Sequence, residues 1–239
     1  MSRGDQGPSA EDRARSYDDD IRAAIPGYEL LHETAAALLQ NDLGENARVL
    51  LVGAGTGEEI VRLAPGNPGW HLIAVDPSAP MLAVARERVQ AADLSDRVDL
   101  REGYVGDLPE GELFDAATML LVMHFAPDDG AKLELLRSVS ARLKLGAPLI
   151  LADMHGDLHD PAIKRRYEAW KRRQIARGVA VADAEAMFAG LPQVVHFVPR
   201  ERIEDLLREA GFVDIEPVFS AFVIGAWFAR KAPGAAKST

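Results

Sequence analysis

Short apolar runs alternate along the first two thirds of the chain with stretches whose apolar residues return every three or four positions. The runs Arg48 to Val52, His71 to Val75, Arg97 to Leu100, Phe114 to Leu121 and Pro148 to Ala152 predict buried strands. The stretches Tyr28 to Leu39, Pro80 to Gln90 and Asp128 to Leu143 predict helices, and Gly57 to Leu63 reads as a helix start. In the third helix Leu133, Leu136, Val139 and Leu143 share one face. Strands that alternate with helices pair in parallel through crossover connections, so the pattern predicts an α/β sandwich.

The last third is patterned differently. Ala162 to Arg177 and Asp183 to Phe188 are helical with no strand between them, which predicts a helical insertion over about 155–199. Arg200 to Ala210 is a helix stopped by Gly211. Two strand-like runs follow, Val213 to Val218 and Ala221 to Ala229, joined at Phe219-Ser220. A joint that short permits only antiparallel pairing, so the sheet is expected to end in a hairpin. Residues 1–16 are polar, with Gly4, Gly7 and Pro8, and are expected to form a mobile tail. Residues 233–239 are expected to form another, leaving 17–232 as the domain.

The chain has 239 residues, 48% of them hydrophobic, enough for one domain with a full core. Its longest apolar runs, 116–123 and 219–228, are shorter than the roughly 20 residues of a membrane-spanning helix. No basic segment followed by an apolar one opens the chain, so no secretory signal is expected. Cysteine is absent, which excludes disulfides, thiolate metal sites and a cysteine nucleophile. A cytoplasmic location is the expectation. The formal net charge of −10 repels phosphate backbones at long range, which disfavours a nucleic-acid partner.

The strongest local signal is Val49-Leu50-Leu51-Val52-Gly53-Ala54-Gly55-Thr56-Gly57-Glu58-Glu59-Ile60. A buried strand runs into three alternate glycines and then a helix. Glycine permits the sharp turn and lets a ligand lie against bare backbone. The spacing is G-x-G-x-G rather than the G-x-G-x-x-G of dinucleotide sites. Glu58 and Glu59 suit a helix start but would repel a pyrophosphate. The second strand ends at Asp76, 23 residues after Gly53. A carboxylate at the carboxyl end of a strand in an open α/β sheet can accept both hydroxyls of a ribose, or cap the following helix.

With these features the chain resembles the class I S-adenosylmethionine (SAM)-dependent methyltransferases over about Tyr17 to Lys231. Gly53-Ala54-Gly55-Thr56-Gly57 looks like the family's first motif, and Asp76 like its ribose-binding acid. Phe114 to Phe125 looks like the fourth strand and its exit, and Leu143-Lys144-Leu145-Gly146-Ala147-Pro148-Leu149-Ile150 like the turn into the fifth. The resemblance implies a seven-stranded Rossmann-like methyltransferase sandwich, with parallel strands, an antiparallel C-terminal hairpin and a helical lid. It implies SAM as cofactor and S-adenosylhomocysteine as product. It also implies that the glycine loop lies against the methionine part of SAM and that Pro77 and Met81 border the adenine. Gly103, Tyr104 and Val105 would then stand at the adenine edge, with Leu120 beside the cofactor. Two departures stand out. Where the family often reads Gly-Asp after the third strand, this chain has Gly103-Tyr104, with Asp107 three residues on; and Leu51 stands where many members carry an acid.

A closer resemblance is to a subgroup that includes carboxy-SAM synthase and tRNA-uridine methyltransferase-like proteins. It rests on Tyr17-Asp18-Asp19-Asp20, Ile25-Pro26-Gly27-Tyr28, Leu121 to Asp128 and the end Phe219 to Lys231. In such proteins the N-terminal segment, here 17–44, folds over the cofactor, so Tyr17 is a candidate lid residue; packing against the first helix is its plainer role. Carboxy-SAM synthase pairs an arginine with the extra carboxylate, and Arg172 and Arg173 are the candidates here.

His124, just after the fourth strand, stands near where a methyl acceptor would lie. It suits a general base, and equally a structural histidine at the strand exit. His155 and His159, with Asp153, Asp157 and Asp160, have no metal-ligand spacing, and no metal is expected. Residues 164–177 carry seven basic side chains against one acid, Glu168. That helix reads as a solvated surface, a lid contact or a dimer contact through Tyr167 and Trp170; the C-terminal hairpin is a second candidate for a homodimer interface. The expected activity is methyl transfer from SAM to a small-molecule acceptor. Carboxy-SAM synthesis, RNA methylation through the basic helix and a non-catalytic binding role are the alternatives.

Overall fold

The computed structural model describes residues 9–233, so the expected tail residues 1–8 and 234–239 lie outside the described residues. The first helix, α1, spans Ala10–Ala24. The expectation of a polar tail up to residue 16 is therefore corrected. Ser9 and Asp12 form a reciprocal capping box that starts the helix. It showed no apolar periodicity because charge pairs hold it: Arg15 pairs with Glu87, and Arg88 with the buried Asp18.

Beyond α1 the elements alternate as the pattern predicts. They run α2 (Tyr28–Asp42), β1 (Ala47–Val52), α3 (Glu58–Leu63), β2 (Trp70–Asp76), α4 (Ala79–Ala91), β3 (Val98–Glu102), β4 (Ala116–Leu120), α5 (Ala131–Ala141) and β5 (Pro148–Met154). Then come α6 (Pro161–Ala176), α7 (Val181–Val194), α8 (Arg200–Glu209), β6 (Phe212–Ala221) and β7 (Ile224–Lys231). The seven strands form one sheet in the order β3-β2-β1-β4-β5-β7-β6. β1 to β5 are mutually parallel, and β7 lies antiparallel between β5 and β6.

The period-two alternation of side chains divides the core between two faces. Leu50, Val52, Met119, Leu149 and Leu151 face α5 and α8, where Leu136, Val139, Ile203, Leu206 and Leu207 meet them. Val49, Leu51, Leu72, Ala74 and Ile150 face α2, α3 and α4, meeting Leu39, Ile60, Leu63, Leu82 and Val89. A third cluster caps the carboxyl end of the sheet, built from Ile25, Tyr28, Leu121, Met154, Tyr167, Trp170, Phe188 and Val195.

Three local expectations are corrected. The fourth strand stops at Leu120, because Leu121 adopts φ 60° and breaks the extended run. The hairpin turns at Phe222-Val223 rather than Phe219-Ser220; irregular pairing between Val213 and Phe219 shifts the register, so the apolar run passes through those two residues. Tyr167 and Trp170 are buried within the chain itself against Phe188, and the Trp170 indole donates to the Ala24 carbonyl, so those two rings are not free to form a dimer contact.

The Arg88–Asp18 pair sets how firmly α1 is held. Arg88→Ala leaves a buried carboxylate unpaired, which is costly. Amide hydrogen exchange over residues 10–24 is expected to speed up by about tenfold or more, with β1, β4 and β5 unchanged.

Candidate functional site

The order of the strands reverses beside β1, which has β2 on one side and β4 on the other. Helices following β1 and β4 depart to opposite faces, and a crevice opens at the carboxyl ends of these strands. The glycine loop lies in that crevice. Gly53, Gly55 and Gly57 have φ of 79°, 51° and 81°. A Cβ on Gly53 would stand 2.3 Å from Val122 Cγ2, and one on Gly57 3.2 Å from the Ala85 backbone, whereas Gly55 faces open space. The loop is thus pinned by packing at both ends and bare in the middle. Asp76 fixes it from the side: one carboxylate oxygen accepts from the Gly55 N–H at 2.8 Å and the other from the Ser78 N–H at 2.8 Å.

A cavity of about 60 Å³ adjoins the loop, lined by Gly53, Ala54, Gly55, Thr56, Glu58, Glu59, Leu120, Leu121, Tyr17, Ile21, Tyr28 and His32. Helix α1 roofs it. The Thr56 hydroxyl donates to Asp18, which also pairs with Arg88, so helix, loop and α4 are tied at one point. Glu58 is committed to cations: Arg62 Nε donates to it at 2.7 Å, and Arg22 and Arg88 pair with it as well. Burial pushes its carboxyl up, but Arg22 and Arg62 outweigh that and hold it below the usual range. Glu59 has no such partner among the described residues. Burial pushes its carboxyl up to about 7, and only the neighbouring Thr118 hydroxyl pulls it back. His32 is held neutral, its imidazole pushed down to about 4 by burial and the nearby Arg62. Burial raises the Tyr17 and Tyr28 phenols.

A second cavity, of about 190 Å³, shares Tyr17, Ile21 and Leu121 with the first. The rest of its wall is mostly apolar: Ile25, Met154, Trp170, Phe188, Leu191 and Val195 are among the lining residues, and Phe125 and Met187 stand partly exposed at its rim. His124 is the imidazole on that wall. Its Nδ1 lies 2.7 Å from Asp153 Oδ1, which also accepts the His124 N–H at 3.0 Å. With Nδ1 turned to that buried carboxylate, Nε2 is the ring nitrogen left over. Beneath this turn the buried Lys132 ammonium donates to the Met123 carbonyl at 2.9 Å. Burial lowers its pKa, with Asp153 and Asp128 opposing.

Of the residues expected from the sequence, Tyr17, Gly53, Ala54, Gly55, Thr56 and Leu120 come together around the first cavity, and His124 stands on the second. Asp76, Pro77, Met81, Gly103 and Tyr104 stand at the ends of β2 and β3 and the start of α4, beyond the wall of the first cavity. Tyr104 is exposed, its N–H held by Asp107 at 2.8 Å, while Val105 turns into the core. Arg172 is exposed, and Arg173 donates to the Ala23 carbonyl rather than into a cavity. His159 is exposed, Asp157 and Asp160 close the turns before α6, and the buried His155 is pushed down by desolvation. Asp18, Glu59, His32 and the pairing of Asp153 with His124 were missed. Asp18 stood within the quoted Tyr17-Asp18-Asp19-Asp20; the Asp153–His124 pairing depends on β4 and β5 being neighbours.

Residues 50–149 match a family model described as a methyltransferase domain. The erythromycin 3''-O-methyltransferase of Saccharopolyspora erythraea is 30% identical over 192 residues, 79% of this chain and 56% of that protein. The chain thus spans little more than half of that relative's length. The carboxy-S-adenosyl-L-methionine synthase of Campylobacter hominis is 24% identical over 226 residues, 92% of this chain and 93% of that protein. Among solved structures, an O-methyltransferase family 2 protein from Planctomyces limnophilus in complex with apigenin superposes with a TM-score of 0.64 at 18% identity, over 95% of this chain and 63% of that one. Among the described residues no helix is long and apolar enough to cross a membrane.

His32 gives the site a pH signature. The unfolded chain protonates this imidazole below about pH 6.5, whereas the folded one resists down to about pH 4. Its contribution to stability is therefore complete above pH 6.5 and is lost as the pH falls towards 4. His32→Phe is expected to remove up to about 3 kcal/mol of that loss, read as the difference between the two urea-unfolding profiles over this range.

Proposed function

We propose that this chain is a class I SAM-dependent methyltransferase that transfers a methyl group from SAM to a small-molecule acceptor, releasing S-adenosylhomocysteine; the methyltransferase-domain match over residues 50–149 and the similarity to an O-methyltransferase and to a carboxy-SAM synthase support the reading. The observation that carries this reading is the pair of cavities meeting at Tyr17, Ile21 and Leu121. One is a glycine-loop cradle whose middle, at Gly55, is open backbone. The other is an apolar chamber with a histidine–aspartate pair on its wall. The cradle fits the methionine end of SAM, and Asp76 stands at the strand end where the ribose would lie.

SAM, when bound, supplies a methyl group already activated by the sulfonium charge. The protein's part is to bring the acceptor into line with it. The shared wall sets the distance between the two ligands, and alignment of this kind removes several kcal/mol of barrier. The apolar lining excludes water and selects an acceptor with a mostly hydrocarbon body. His124 Nε2 is positioned to take the proton of an acceptor hydroxyl, with Asp153 stabilising the imidazolium that results. Tyr17 and α1 close the cofactor side as a lid, and α6 and α7 cover the acceptor side.

Carboxy-SAM synthesis is the second reading, favoured by the near full-length similarity to the Campylobacter hominis enzyme. It requires a cation for the added carboxylate. Arg172 is exposed, Arg173 donates to the Ala23 carbonyl, and neither lines the acceptor chamber, so the geometry supports methyl transfer better.

Mass spectrometry of small molecules released on denaturing the purified protein tests both readings. SAM or S-adenosylhomocysteine is the expected result; a species heavier than SAM by a carboxylate would make the second reading the better one; a protein that arrives empty and takes up no added SAM sinks both. With an acceptor in hand, His124→Gln is expected to lower kcat by about 10² to 10⁴ with SAM affinity unchanged. Asp153→Asn should lower kcat in the same direction and shift the pH–rate profile. Unchanged kcat in His124→Gln would remove the base role.

A further inference from the structure

The glycine-loop cavity contains a carboxylate that no cation among the described residues neutralises. Glu58 and Glu59 are consecutive at the start of α3, and both line the cavity. Glu58 turns to Arg22, Arg62 and Arg88. Glu59 points the other way, towards Thr118 on β4, and has no cation partner among the described residues. The buried Thr118 hydroxyl is the one polar group among the described residues that steadies this carboxylate, and it makes no hydrogen bond of normal geometry. A half-buried carboxylate with one neutral hydroxyl beside it and no cation is costly unless a ligand completes it.

Its position within the cavity says which part of a ligand it faces. The wall common to both cavities is Tyr17, Ile21 and Leu121, and the reactive sulfur must lie there for the methyl group to reach the acceptor chamber. Glu59, with Glu58, Tyr28 and His32, lines the first cavity alone. It therefore borders the cofactor cavity and not the acceptor chamber. Asp76, at the end of β2, takes the third corner. A ligand with its sulfur at the shared wall and its sugar near Asp76 has its amino-acid end left for the floor of the cavity, where Glu59 is.

We propose that Glu59 is the counter-charge for the α-ammonium of the cofactor's methionine portion, accepting a charge-assisted hydrogen bond from it and releasing a proton when the cofactor loads. The inference rests on the SAM reading above. The release balances simply: in the free protein the carboxyl is partly protonated near neutral pH, the ammonium requires the carboxylate, and the displaced proton passes to solvent. The other ionisable groups facing this cavity are settled in the same pH range. His32 on α2 is neutral, Tyr17 on α1 and Tyr28 on α2 are protonated, and Glu58 is ionised against its arginines. Glu59 is the one left to titrate.

Calorimetric titration of the full chain with SAM, S-adenosylhomocysteine and 5′-methylthioadenosine tests this. The last has the adenosine and the sulfur but no amino-acid group. Glu59→Gln is expected to weaken SAM and S-adenosylhomocysteine by about 10- to 100-fold and to leave 5′-methylthioadenosine within about twofold. Glu59→Asp, which keeps the charge, should recover part of the loss. In the unaltered chain, affinity for SAM and S-adenosylhomocysteine should rise between about pH 6 and about pH 7.5, with proton release read from the dependence of the heat on buffer ionisation. Unchanged SAM affinity in Glu59→Gln overturns the assignment. So does an equal loss for all three ligands, which would mean that Glu59 only shapes the loop. Should Glu59→Gln fail to fold, a flat pH profile without proton release in the unaltered chain overturns it. An unaltered chain that binds none of the three removes the SAM reading itself, a distinct outcome.

Discussion

The crevice beside β1 is the constraint on which the rest of this molecule depends. Parallel strands need helical crossovers, and the hand of a crossover is nearly invariant. A chain that winds from β1 to β3 in one direction and from β4 onward in the other must send its helices to opposite faces at the reversal. No helix then covers the carboxyl ends of β1 and β4, and backbone amides and strand-end carboxylates stand open there. The glycine loop, Asp76, His124 and Asp153 all lie at strand ends along this one edge.

Covering that edge falls to elements outside the alternating pattern. α1 comes from before the sheet, and α6 and α7 from the insertion between β5 and α8. They are held by different forces. α6 and α7 are fastened by aromatic packing among Tyr167, Trp170 and Phe188, with the Tyr167 hydroxyl donating to the Phe188 carbonyl at 2.5 Å. α1 is fastened mainly by ion pairs and by the Asp18–Thr56 hydrogen bond. Ion pairs with a solvent-facing partner are worth less than buried aromatic contacts. The roof over the glycine loop is thus the more readily opened of the two covers, which suits the side where a cofactor enters and its product leaves.

Charge is distributed along this edge in a way that separates the two cavities. The first is lined by two carboxylates, Glu58 and Glu59, with Asp18 behind Thr56 and Asp76 beside Gly55. The second is apolar apart from His124 and Tyr17. A cationic ligand and a mostly hydrocarbon one would each be drawn to the appropriate side without a gate between them. Leu121 stands on the dividing wall in a left-handed conformation, which leucine adopts at a cost of roughly 1–2 kcal/mol. That strain ends β4 and turns the chain so that His124 meets Asp153.

The sequence by itself determined the sheet, the helices on its two faces, the glycine loop and Asp76, because each is written locally: a period of two or three to four, a run of glycines, a carboxylate at a strand end. Gly53-Ala54-Gly55-Thr56-Gly57 could be read as one cradle without coordinates, since residues close in sequence at a strand end are close in space; Leu120 comes beside them only because β4 pairs with β1. Tertiary structure alone decided what depends on partners far apart in the chain. Helix α1 was illegible because its anchors, Glu87, Arg88 and Thr56, lie some 40 to 70 residues downstream. The inward role of Tyr167 and Trp170 depended on α7 and α1 meeting α6. His124 acquired its carboxylate partner only when β5 placed Asp153 beside it, and the difference between Glu58 and Glu59 appeared only when three arginines from three helices converged on one of them. Local patterns record which backbone conformation a segment prefers; they do not record which distant charge will arrive to neutralise a side chain, and it is that arrival which separates a structural residue from one left free to act.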